Sequence, residues 1–470
     1  MAGRGRGIRR SAVAAATLFA GTSAALAHAG DRGFVLLLPT GYYIIGGALA
    51  VAVSFAVLAL LPASALARAA GWRGRLTGPL PDSRTIVSLA SFAVVCCLLY
   101  AGFAGSRDPL SNPLPLVFWT VWWIGLTLAV GLFGNLWRWL DPWYGPWRLV
   151  SGMLPRGAPL ALPAPLGWWP AVALFLGFAW FELVDLAPED PQRLATVLGL
   201  YWLANFAGML LFGHAEWTRR VECFSVFFGL VSRLSPLGRG RDGSLDLALP
   251  GARAAGQEPL PLSATFFLLL ALAAVSFDGL SRTFVWLSLL GINPLEFPGR
   301  SAVLAPNTAG LIAAFAALAG VFFACVWLGC RLAGMGGDLV RAAGLFVWSL
   351  LPIALAYHFA HYLTALVING QYGLAAISDP LSRGWNLFGT AGYHVLAGAT
   401  AGHESAWVIW NLQAAAIVAG HVLGVAIAHV QALRLTGEER RAAVAEFPLA
   451  ALMVGYTVLG LWLLSTPTGY

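Results

Sequence analysis

His358 and His361 stand three residues apart in the run LFVWSLLPIALAYHFAHYL, residues 345–363. The run is apolar and about long enough to cross a membrane. Spacing of i, i+3 puts both imidazoles on one helix face. Polar side chains in hydrocarbon cost free energy and mark functional sites. A third histidine, His421, lies in the next apolar stretch. At about 1.5 Å per residue, His361, His358 and His421 lie roughly 12, 16 and 22 Å below the same surface. The two stretches are joined by one loop and are expected as neighbours, so a three-histidine cluster is geometrically allowed. Neutral imidazoles ligate Zn or Cu, and two histidines on facing helices suit axial ligation of haem b. The plain alternative is that each histidine hydrogen-bonds a neighbouring helix as packing glue. Pro352, six residues before His358, is expected to kink its helix. His214 and His429 read as solvated groups at span ends.

Carboxylates extend the candidate site. Glu182 and Asp185 lie in the run WFELVD, and Asp278 in VSFDG. An acid in an apolar helix seldom faces lipid and usually lines a cavity or meets a partner. Asp278 is the better ligand or base, Glu182 a group orienting a ligand, and Asp185 a surface residue. Asn205 reads as packing. Mixed histidine and carboxylate ligands suit hydrolytic and non-haem oxidative metal sites.

The elements that must position these groups are membrane spans. Of 470 residues, 59% are hydrophobic and only 10% charged, where a soluble domain carries about 25% charged residues; mean hydropathy is +0.75. The fold class is therefore all-α, a polytopic transmembrane helical bundle. Apolar windows predict ten spans near 40–62, 85–103, 114–137, 168–187, 193–213, 262–282, 307–330, 342–369, 406–430 and 448–466. The net charge of +7 comes with no lysine. The arginines fall in alternate loops, which reads as topology and excludes nucleic-acid binding as their purpose. Their alternation places those loops in the cytoplasm and both mature termini outside.

Arg4, Arg6, Arg9 and Arg10, the apolar stretch 12–20 and Ala25-Leu26-Ala27 form a signal-peptide pattern over residues 1–27. Cleavage leaves His28 at the mature terminus, where an α-amine and an imidazole offer two nitrogen ligands suited to Cu(II); a chance residue at a cleavage site is the alternative. Residues 28–470 form one integral membrane domain. It has a cytoplasmic loop at 214–261 and a longest external loop at 370–405. Within the former, 221–234 reads as an interfacial helix or hairpin and 236–261 as a flexible loop. The external loop reads as an ordered lid. The five cysteines show no CxxC pairing, and no structural disulfide is expected.

Several stretches together resemble a bacterial family of polytopic membrane proteins called fenitrothion hydrolases. They are Ala27-His28-Ala29-Gly30, Asp141-Pro142-Trp143, the run FSVFFGLVSRLSP at 224–236, Phe277-Asp278-Gly279, YHFAHY at 357–362, SDPLSRGWNLFGT at 378–390 and Gly420-His421-Val422. Ala29 stands where the family pattern has glycine. The resemblance covers most of the chain and implies cleavage of the aryl ester of a lipophilic phosphorothioate. The expected chemistry is then a metal-bound hydroxide attacking phosphorus. His358, His361 and His421 are the expected ligands, Asp278 a fourth ligand or base, and Glu182 a supporting group. Two rivals stand beside it: a copper- or haem-binding redox protein, and an ion or proton transporter. The expected partners are the bilayer and a lipophilic small molecule, with a second subunit left open.

Overall fold

The computed structural model describes residues 38–79, 82–153, 158–240, 242–293, 296, 299–400 and 402–468. The expected signal peptide and His28 lie outside them. Among the described residues, ten helices are long and apolar enough to cross a membrane. They are numbered here as spans one to ten: Thr40–Ala59, Arg84–Ala104, Pro113–Phe133, Ala164–Leu183, Pro191–Phe212, Leu262–Ser281, Arg300–Leu332, Leu339–Ala376, His403–Thr436 and Glu439–Ser465. The protein is a multi-pass, all-α membrane protein. Spans six and eight form its centre, with 78% and 72% of their apolar windows buried, against 11% and 17% for spans one and two. The two central helices carry Asp278 and the histidine pair.

Spans three and eight depart from regular α-helix within their lengths. Span three winds as a π-helix over Leu116–Leu126, a geometry frequent at functional sites. It begins at Asn112, whose side chain accepts from Leu114 N and donates to the Ala101 carbonyl of span two. Span eight runs as an α-helix over Leu339–Phe346, a 3-10 turn over Val347–Leu350 and an α-helix over Leu351–Ala376. The irregularity foreseen at Pro352 thus falls just before it. Pro352 itself occupies the first turn of the last segment, where its missing N–H is no loss.

Span nine lies close against span eight. A Cβ at Gly424 would come within 2.7 Å of the Ser349 carbonyl, and one at Gly420 would strike Ala356. Small residues permit such approach between membrane helices, and this approach buries His421, the residue after Gly420.

The segment expected at the interface is inside the protein. Seven of the nine residues of the Cys223–Val231 helix are buried. An interfacial helix needs a polar face; this one is apolar nearly all round and is enclosed by protein. Phe224 packs edge-on to Trp122 at 4.6 Å and Phe227 lies 5.4 Å from Trp123. Its N-terminus is held by Glu222, which accepts from Phe224 N at 3.0 Å, Ser225 N at 2.6 Å and the Tyr201 hydroxyl. Burial raises both the Glu222 carboxyl and the Cys223 thiol above their ordinary values, so Cys223 is an inert core thiol. Glu222→Ala is expected to cost about 1–2 kcal/mol through the lost cap, read as a lower thermal midpoint in detergent. Glu222→Gln, which keeps an acceptor, should lose less, and equal midpoints for Glu222→Ala and the parent protein would refute the cap.

The stretch read as a flexible loop is also ordered in large part. β1 (Arg73–Pro79), β2 (Leu237–Arg239) and β3 (Ser244–Ala248) form an antiparallel sheet with β3 in the centre. Arg73 is opposite Ala248, and Leu237 opposite Leu247. β1 comes from the loop between spans one and two, so no local pattern near residue 240 announces its partner.

Candidate functional site

The interior polar groups gather where spans three, four, six and eight meet. Glu182 sits in the last turn of span four, and Asp278 in the last turn of span six. His358, His361 and Tyr362 share one face of span eight at i, i+3 and i+4. The Tyr362 hydroxyl lies 2.8 Å from Glu182 Oε1 and 2.8 Å from Asp278 Oδ2. His361 Nε2 is 2.7 Å from the same Asp278 oxygen, and Arg282, one turn after Asp278, pairs with Oδ1 at 2.9 Å. Trp123 Nε1 donates to Glu182 Oε1 at 2.8 Å. The Asp278 side chain is 1% exposed, while His361 and Arg282 retain 14% and 31%; access from outside the bundle therefore comes through the latter two.

A phenol has one proton to donate, yet two carboxyl oxygens lie within donating distance of Tyr362. Asp278 Oδ2 also faces His361, and Glu182 Oε1 also accepts from Trp123. One phenol proton cannot serve both carboxylates at once. A second proton, on either carboxyl, completes the chain Glu182–Tyr362–Asp278. Shifting two protons along it converts one arrangement into the other, with no heavy-atom displacement. His361 lies at one end of this chain, its Nδ1 without a hydrogen-bond partner among the described residues.

A small cavity adjoins the Glu182 end. Its polar lining comes from Glu182, Thr127, His358 and Tyr362, and aromatic and aliphatic side chains supply the rest. Its volume is about 30 Å³, enough for about one or two waters.

The other expected site residues fall elsewhere. His358 turns to span three, its Nε2 3.1 Å from the Trp123 carbonyl and its ring edge-on to Trp123 at 5.0 Å. His421 turns back on its own helix, Nδ1 lying 2.8 Å from the Ile417 carbonyl, and its ring packs near Tyr357 and Tyr456. Tyr357 and His358 are successive residues, so their side chains leave span eight about 100° apart. The expected three-histidine cluster is therefore not assembled: His361 joins the carboxylates, His358 borders the cavity and His421 stands on another side of span eight. Among the described residues, no three His, Cys, Asp or Glu side chains are grouped to hold a metal ion.

Three readings of single residues are corrected. His214 is buried, 2.7 Å from Asp141. His429 is buried, 2.7 Å from Glu446. Asp185 is buried too, accepting from Ala187 N and paired with Arg193. Asn205 does pack, accepting from Trp217 Nε1. The residues that sequence reasoning missed are Tyr362, Trp123 and Arg282. Tyr362 and Arg282 were within reach, since each lies one turn from a residue already singled out. Trp123, one of 20 tryptophans, carried no distinguishing signal.

Fold and site together define a class: a multi-pass helical membrane protein with an acid–base cluster buried among its central spans. Comparison with family models, with curated proteins and with solved structures finds no match to this chain.

Proposed function

We propose that this protein moves protons across its membrane through the Glu182–Tyr362–Asp278–His361 cluster. The observation that carries the reading is the Tyr362 hydroxyl, equidistant at 2.8 Å from two carboxylates on different spans. Buried acids and histidines in sequence are the material of proton relays. His361 and Arg282 connect Asp278 to one side, and the water-sized cavity takes the proton from Glu182 on the other. We place the arginine-rich loops in the cytoplasm of a bacterial inner membrane, so the cluster lies nearer the outer face. Protein in liposomes with a trapped pH-sensitive dye should acidify the lumen when an inward-negative potential is imposed. Glu182→Gln should slow this by about a hundredfold, the scale of a lost proton-transfer group. Wild-type liposomes no faster than empty ones would refute the reading.

The second reading is the one that the family resemblance implies, metal-dependent hydrolysis of lipophilic organophosphorus esters. The observation in its favour is the Asp278–His361 pair, because a carboxylate that holds an imidazole orients both metal ligands and general bases. Two points weigh against it. Of the expected donors for Zn or Cu among the described residues, only His361 and Asp278 are in contact, with Glu182 one hydroxyl away. Binding pockets for small molecules measure about 300–1,000 Å³, and the cavity beside the cluster is about 30 Å³. For haem b, His358 and His421 would have to face one another across their spans; His358 meets the Trp123 carbonyl and His421 packs beside Tyr357. Elemental analysis and ester turnover by the same purified protein separate the readings: stoichiometric zinc or copper with turnover supports hydrolysis, and dye acidification by metal-free protein supports proton movement.

A further inference from the structure

Beyond the cluster, spans six, eight, nine and ten bury a second series of polar groups. Ser276, two residues before Asp278, shares a 2.5 Å hydrogen bond with the Tyr456 hydroxyl of span ten. The Tyr357 hydroxyl, one turn before His361, donates to the Tyr456 carbonyl at 2.7 Å. His421 packs beside both tyrosines, and its Nε2 is buried without a partner. Further along, His429 Nδ1 meets Glu446 Oε2 at 2.7 Å. Their side chains are 1% and 0% exposed. His429 Nε2 and Glu446 Oε1 are again buried, with no hydrogen-bond partner among the described residues.

Helix geometry gives the spacing. His429 is eight residues past His421, about 12 Å along span nine, and Glu446 is ten residues before Tyr456, about 15 Å along span ten. From His361 back to Tyr357 is a further step of about 6 Å. The series therefore covers about 20 Å of a hydrocarbon layer of about 30 Å, and ends on the opposite side of the bundle from Asp278. Among the described residues no arginine pairs with Glu446: Arg434 bonds Glu258 and the Gln257 carbonyl, Arg441 bonds the Ala333 carbonyl, and Arg331 lies over Trp327. A buried carboxylate oxygen and imidazole nitrogen are costly unless something binds them.

We infer that the His429–Glu446 pair is a second proton-binding station, on the arginine-rich side of the first cluster. This inference rests on the proton reading above. A proton taken up at Glu446 Oε1 makes the neutral acid, while the proton between Oε2 and Nδ1 stays on His429. Release of the Oε1 proton to the arginine-rich side restores the starting state, with no other reactant.

The test uses the full-length protein in dye-loaded liposomes. Wild-type flux that falls about a hundredfold in both Glu446→Gln and His429→Gln, with unchanged helical content, supports the station. Wild-type flux that both variants retain overturns it while leaving the Tyr362 cluster in place. Should the wild-type protein carry no flux, the proton reading fails, and infrared titration decides the pair by itself. A protonated-carboxyl band that Glu446→Gln removes supports proton binding there, and a spectrum that the substitution leaves unchanged overturns it.

Discussion

Tyr362→Phe is expected to lower proton flux by about a hundredfold or more while leaving the protein folded. The substitution removes one oxygen and keeps the ring, which packs 4.9 Å from His358 and 4.7 Å from His361. It therefore cuts the only described hydroxyl bridging Glu182 and Asp278 and disturbs little packing. Glu182 keeps Trp123 Nε1, and Asp278 keeps His361 and Arg282, so neither carboxylate is left without a donor. A structural role for the hydroxyl would show as a lower thermal midpoint with flux preserved; a relay role shows as the reverse. The assay is acidification of dye-loaded liposomes beside thermal unfolding of the same preparation. Flux equal to that of the parent protein would remove Tyr362 from the path.

The largest expected loss of stability is at Asp278. Asp278→Ala removes the carboxylate that pairs with Arg282 and His361 and that accepts from Tyr362, leaving Tyr362 only Glu182. Breaking a buried charge pair by removing one partner costs about 3–5 kcal/mol. The lower end applies, because the Arg282 side chain is 31% exposed and water screens part of its charge. Asp278→Asn retains an acceptor oxygen, so it should unfold at a temperature between Asp278→Ala and the parent, with proton flux lost in both. Thermal midpoints in detergent give the ranking. An Asp278→Ala protein as stable as the parent would mean that the three donors find other acceptors, and the cluster would not be the organising centre described here.

The fold and the candidate site were legible in the sequence to different depths, for physical reasons. Ten apolar windows were readable because backbone polar groups in a membrane must be satisfied within each span, so length and hydropathy suffice. Glu182, Asp278 and His361 were readable because ionisable groups are costly in hydrocarbon and stand out. His421 shows the limit: depth along a helix follows from residue count, but the direction in which a ring points does not. The step of about 100° between Tyr357 and His358 is enough to send them to different neighbours. His429 and Glu446 were hidden by helix ends. Hydropathy stops span nine near 430 and starts span ten near 448, whereas the helices reach Thr436 and begin at Glu439. A residue placed at the rim is thus one or two turns inside. The sheet could not be read locally, since β1 and β3 are about 170 residues apart, with spans two to five between them.

The most direct test of the central claim is the current driven by a pH step across liposomes adsorbed on a solid-supported membrane. Wild-type protein is expected to give a current that grows with the pH step and reverses with its sign, and that is absent in Tyr362→Phe and Glu182→Gln at equal protein density. A wild-type current no larger than that of empty liposomes, or one that both variants reproduce in full, would contradict the account.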